Sequence, residues 1–126
     1  MIEMFLAGGP SMWVALLCSM IGNPLAIAAV VGAFVTRKRG MRLGLGIAAV
    51  CFGLATLFIG GAGYMYGMSQ VASVLPLVDP GDRELIQAVG QAEAMNNIWL
   101  GLCGSALPLL FGTLAIARGA MTKPDA

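Results

Sequence analysis

Histidine is absent from these 126 residues, and charge of either sign is scarce, at 10% of the chain. Cys18, Cys51 and Cys103 stand singly, far apart, each inside an apolar stretch. Without histidine or a cysteine pair at ligand spacing, no zinc or haem site can be assembled, and no metal or other cofactor is expected. The odd, scattered cysteines give no disulfide framework either and read as small packing residues. No nucleophile has a base beside it and no phosphate loop occurs, so an enzyme is not expected. The few basic residues cluster beside an apolar run, where they set topology and hold anionic lipid; no nucleic-acid partner is expected.

What is plentiful is apolar side chain: 59% of residues are hydrophobic and the mean hydropathy is +0.88. Such a composition belongs to a membrane protein, not to an ordinary soluble domain. At about 20 residues per bilayer crossing, the chain has room for three or four spans and little else. The pattern predicts an all-α fold, a single transmembrane domain over 1–126. Its spans lie at about 12–35, 43–66 and 92–117, with a turn at 37–42 and an outer segment at 68–91. Glu3 stands where a signal peptide would be basic, so the first apolar run is read as a retained helix.

Charge is sorted by position. Arg37, Lys38, Arg39 and Arg42 share one tract, and Arg118 and Lys123 lie near the C-terminus. Glu3, Asp79, Asp82, Glu84 and Glu93 occupy the other polar regions, with Arg83 the one basic residue among them. The positive-inside rule then places the 37–42 turn and the C-terminus in the cytoplasm and the N-terminus and 68–91 outside.

Small residues recur at helical spacing. In the second span Gly46, Gly53, Gly60 and Gly67 fall seven apart, with Ala49, Thr56 and Gly63 between them, all on one helix stripe. Ala15, Ser19, Gly22, Ala26, Ala29, Ala33 and Thr36 repeat the pattern in the first span. Such stripes let membrane helices approach closely, though the pattern does not say which helix meets which. Asn23-Pro24 in the first span and Pro108 in the third predict kinks. Asn23 either lines an ion path or bonds carbonyls freed by Pro24 or offered by a neighbouring helix.

Asp79-Pro80-Gly81-Asp82 reads as a helix start, with Asp79 as N-cap and Pro80 at the first position. A helix from there would run about 35 residues, about 55 Å, well past a hydrocarbon core of about 30 Å, so its first turns would project outward. On it Gly90, Glu93, Asn97, Gly101 and Gly104 step by four and three to form one face, suited to a pore or to a partner helix. A carboxylate in the bilayer costs about 2.5–3.5 kcal/mol on insertion scales, which marks Glu93 as either functional or lifted to the headgroups. Trp13, Tyr64, Tyr66 and Trp99 read as interfacial aromatics.

Three segments, in order, resemble the ExbB/TolQ/MotA family of energy-transducing membrane channels, ExbB and TolQ most of all. The opening Met4-Phe5-Leu6-Ala7-Gly8-Gly9-Pro10-Ser11-Met12-Trp13 is similar to the start of many such proteins. Gly60-Gly61-Ala62-Gly63-Tyr64-Met65-Tyr66-Gly67-Met68 resembles the family's GLLGTVWGIM segment, and Glu93-Ala94, Gly101-Leu102 and Pro108 resemble its EAL-x5-GL-x4-IP segment. The large cytoplasmic domain that these proteins insert between their first two spans is cut here to Arg37–Arg42.

The resemblance implies a homo-oligomeric ring in the bacterial inner membrane, a pentamer. Its second and third helices would surround a small single-span partner of the ExbD or TolR type. Glu93 then corresponds to the ring's glutamate, with Asn97 and Tyr64 as polar pore neighbours. Tyr64 and Ile98 stand where the family has pore threonines. The function expected is a ring subunit of an ion-coupled energy-transducing complex. The alternative is a non-conducting membrane scaffold that keeps only the fold, to which the lost threonines and missing domain also point.

Overall fold

A computed structural model describes residues 9–36 and 38–122; Glu3, the motif residues 4–8, Arg37 and Lys123 lie outside the described residues. Three helices fill almost all of that length: α1 Gly9–Val35, α2 Arg39–Val74 and α3 Arg83–Met121. Each is long and apolar enough to cross a membrane. None carries a charged residue in its apolar middle, and the turns fall where the charges are.

Successive helices run antiparallel, and the small residues dictate how closely. A Cβ added to Gly46 would lie 2.9 Å from the Gly112 carbonyl oxygen, and one on Gly60 2.8 Å from the Gly101 Cα. Gly67 meets Ala94 at the other end. The second-span stripe therefore faces α3, backbone against backbone at Gly46 and Gly60 and against the side chains of Leu109, Asn97 and Ala94 at Gly53, Gly63 and Gly67. Buried Gly101, Gly104, Gly112, Ala115 and Gly119 answer it from α3. Helix α1 lies across this pair, with Ala26, Ala29 and Ala33 fully buried against Ala49 and Ala115. Side chains this small give up hydrophobic area but let dispersion act between backbones, the usual means of association where lipid removes any hydrophobic force.

Pro24 and Pro108 both sit inside unbroken helices. Pro108 is fully buried. Its ring lies against Gly22 of α1 and Gly53 of α2, where added Cβ atoms would meet it at 3.3 and 3.1 Å. The proline thus fills a notch that two glycines leave open, and the three helices meet there.

One end of the bundle is basic and the other acidic. At the basic end Arg42 ties the elements together: Nε donates to the Thr36 carbonyl at 2.6 Å and Nη1 to Thr122 Oγ1 at 2.9 Å. The Arg118 guanidinium lies 4.1 Å from the Phe34 ring centroid, a cation–π contact between α3 and α1. At the acidic end α2 gives way to a single 3-10 turn, Leu75–Leu77, around Pro76.

One expectation needs correction here. Residues 79–82 are a turn, closed by Asp82 N–H donating to the Asp79 carbonyl at 3.0 Å, and not the first turn of α3. The helix begins at Arg83 with Asp82 as N-cap, and no side chain caps it. Pro80 and Gly81 suit a tight turn as well as a helix start, and glycine is a poor helix former, so the turn prevails. Residues 71–74 extend the second-span helix up to Pro76, so α2, at 36 residues, runs about as far as α3, at 39. No breaker precedes Pro76, and Val71 packs on Gly90, so the two rise together as a hairpin.

Candidate functional site

The polar residues singled out by sequence lie toward the acidic end, at two different depths. Asn97 is in the bundle interior, 2% exposed. Its Oδ1 accepts from Ser11 Oγ at 3.0 Å, linking α3 to the first turn of α1. Gly63 of α2 closes the third side, since a Cβ there would lie 2.8 Å from Asn97 Oδ1. Asn97 is therefore a knot among three helices of one chain. A buried amide bonded in this way favours one register of the helices over others.

Glu93 is one turn further toward the acidic end and faces away from the seam. Ala94 occupies the seam position instead, 3% exposed against Gly67. The face expected to run Gly90, Glu93, Asn97, Gly101, Gly104 thus runs Gly90, Ala94, Asn97, Gly101, Gly104. Both sequences of steps are helical; the seam takes the smaller side chain because α2 is too close for a glutamate. Tyr64 is half-buried, and neither Glu93 nor Tyr64 joins Asn97 in a cluster.

Glu93 instead borders a groove of about 400 Å³ between the acidic ends of α2 and α3. Gln70, Val71 and Val74 line one wall, and Leu85, Ile86, Val89 and Gly90 the other. Gly90 permits the approach of Val71 that forms the floor. Among the described residues Glu93 has no hydrogen-bond or ion-pair partner.

Asn23 bonds a side chain of its own helix. Its Nδ2 donates to Ser19 Oγ at 3.1 Å, one turn back on α1, and its Oδ1 is buried without a partner. It bonds no freed carbonyl. Ser19 Oγ in turn faces Gly104, 3.0 Å from where a Cβ would be, beside the Thr56 methyl. Thr56 Oγ1 donates back to the Phe52 carbonyl at 2.8 Å and Ser105 Oγ to that of Leu102 at 3.1 Å, each within its own helix. Sequence reasoning missed the Ser19–Asn23 pair, for which the i, i+4 spacing was the available signal, and missed Ser11 as the partner of Asn97, for which there was none.

Among the described residues no three carboxylates or thiols converge at metal-ligand spacing. No protein-family model, no curated protein and no solved structure matches this chain, so geometry alone carries its functional reading.

Proposed function

We propose that this chain is a three-span protein of the bacterial inner membrane that serves as a non-conducting structural subunit of a membrane assembly. One observation carries the reading: among the described residues most polar side chains at bilayer depth are bonded inside the chain, Asn23 Oδ1 being an exception, and the faces left for neighbours are apolar. Asn97 bonds Ser11, Asn23 bonds Ser19, and Thr56, Ser105 and Thr113 bond carbonyls of their own helices. The outer faces carry side chains such as Trp13, Leu17, Phe58 (74% exposed) and Leu110. Surfaces of that kind suit lipid and other membrane helices and offer an ion no substitute for its hydration shell.

Placement in the bilayer follows from the ends. Lys38, Arg39, Arg42 and Arg118 gather at one end, and Asp79, Asp82, Glu84 and Glu93 toward the other, which favours a cytoplasmic basic end. Trp13, Tyr66 and Trp99 would mark the opposite interface. Glu93, six residues beyond Trp99 but about level with Met68, two residues beyond Tyr66, then sits at the outer edge of that belt.

A second reading, a ring subunit of the ExbB/TolQ type around a single-span partner, draws on a different observation. Glu93 is exposed, and without a partner among the described residues, on the α2–α3 pair, the two helices that line the family's pore. Proton and sodium flux into liposomes separates the two. The structural reading expects no flux above protein-free vesicles, with or without Glu93→Gln. Flux that Glu93→Gln removes would overturn it in favour of the ring.

A further inference from the structure

The groove beside Glu93 differs from the rest of the apolar surface in where it lies. Val71 and Val74 are five and eight residues beyond Tyr66, about 7 and 12 Å along α2, and Val89 is ten residues, about 15 Å, beyond Trp99 on α3. On the membrane placement proposed above, on which this inference rests, lipid tails cover Phe58 and Leu110 but cannot reach these walls. Leu85 (65% exposed), Val89 (50% exposed) and Val74 nevertheless open to the surroundings. An apolar cleft in contact with water or headgroups, with an exposed carboxylate on its rim, is a recognition surface.

The charges select the occupant. A second copy of this chain would bring its own Asp79, Asp82, Glu84 and Glu93 against the same four acids. The one described base at this end, Arg83, already donates through Nε to the Val78 carbonyl at 3.1 Å. Self-association through the groove is therefore opposed by like charge, whereas a cationic partner is drawn to it.

We propose that the groove between the acidic ends of α2 and α3 docks an amphipathic segment of a different protein, which seats apolar side chains against Val74, Leu85 and Val89 and sets a lysine or arginine on Glu93. The hairpin projects so that this segment is met outside the hydrocarbon. The apolar walls supply most of the attraction, and Glu93 supplies register and selectivity.

The test is photo-crosslinking in native membranes from a benzoylphenylalanine side chain placed at Val89, with the same probe at Phe58 as a lipid-facing reference. The expected result is an adduct with one other protein, mapped by mass spectrometry to an apolar segment containing lysine or arginine. Glu93→Gln should lower its yield roughly fivefold, as for a partly exposed ion pair. Glu84→Gln, an acid outside the groove lining, should lower the yield less than Glu93→Gln does. Adducts with lipid only, with a second copy, or with a segment lacking a basic residue would overturn the proposal. So would no adduct, or a yield indifferent to Glu93→Gln. Alkaline carbonate extraction of the same membranes keeps the two readings apart. A chain released by carbonate refutes the membrane placement, and a retained chain without the adduct refutes the groove alone.

Discussion

Gly60 and Gly101 put the backbones of α2 and α3 in direct contact: a Cβ on Gly101 would lie 3.1 Å from the Gly60 Cα, and one on Gly60 would lie 2.6 Å from the Asn97 carbonyl oxygen. Gly61, its neighbour in sequence, has nothing within 4 Å of where its Cβ would be. The two glycines should respond to the same substitution with opposite signs. Gly60→Ala forces the helices apart and is expected to cost about 1–3 kcal/mol, the range for overpacking. Gly61→Ala relieves only the conformational freedom of glycine and should stabilise by about 0.5–1 kcal/mol. Reversible unfolding in mixed micelles measures both, and equal effects would disprove the seam.

The Ser11–Asn97 bond predicts coupling between residues 86 positions apart. Ser11→Ala and Asn97→Ala, alone and together, should give a double-mutant interaction of about 0.6 kcal/mol, typical of side-chain bonds between membrane helices. Additive effects would mean that the first turn of α1 does not dock on α3.

Arg42 holds the ends of α1 and α3 from a position on α2. Arg42→Ala should release both, seen as faster amide exchange at the last turns of α1 and α3 with little change near Gly60. Arg42→Lys is not expected to rescue, because one ammonium cannot serve two acceptors in the directions that the guanidinium fork reaches.

The charge distribution predicts accessibility. A cysteine replacing Asp82 should react with a membrane-impermeant maleimide on intact cells. One replacing Lys38 should react only after the membrane is opened. The reverse pattern would invert the proposed orientation.

Much of the helical framework was legible in the sequence because each of its causes is local. Apolar length marked three spans, and the stripe from Gly46 to Gly67 marked the face on which α2 packs. The partner of that face was not legible, since α1 carries a similar stripe, and only the shapes that meet, such as Pro108 between Gly22 and Gly53, decide it. Glu93 shows the finer limit. Residues 93 and 94 are both helically in step with Asn97, and their assignment to groove and seam depends on how close α2 comes, which is a tertiary distance. The turn at 79–82 escaped for a related reason: Asp-Pro-Gly-Asp satisfies two local rules at once.

The glycine seam also bears on the order of biogenesis. Helix α3 leaves the ribosome after α2, so α2 must wait in the membrane for the helix it packs on most closely. During that interval its exposed stripe is Gly46, Ala49, Gly53, Thr56, Gly60 and Gly63, all of which the finished fold buries. The stripe has little side chain to misplace, and its one hydroxyl, on Thr56, bonds the Phe52 carbonyl of its own helix. A small-residue face is nonetheless what lets membrane helices approach closely, so until α3 arrives it lies open to other helices. What singles out α3 from such competitors is shape, since Pro108 and Leu109 meet Gly53 and Gly101 meets Gly60.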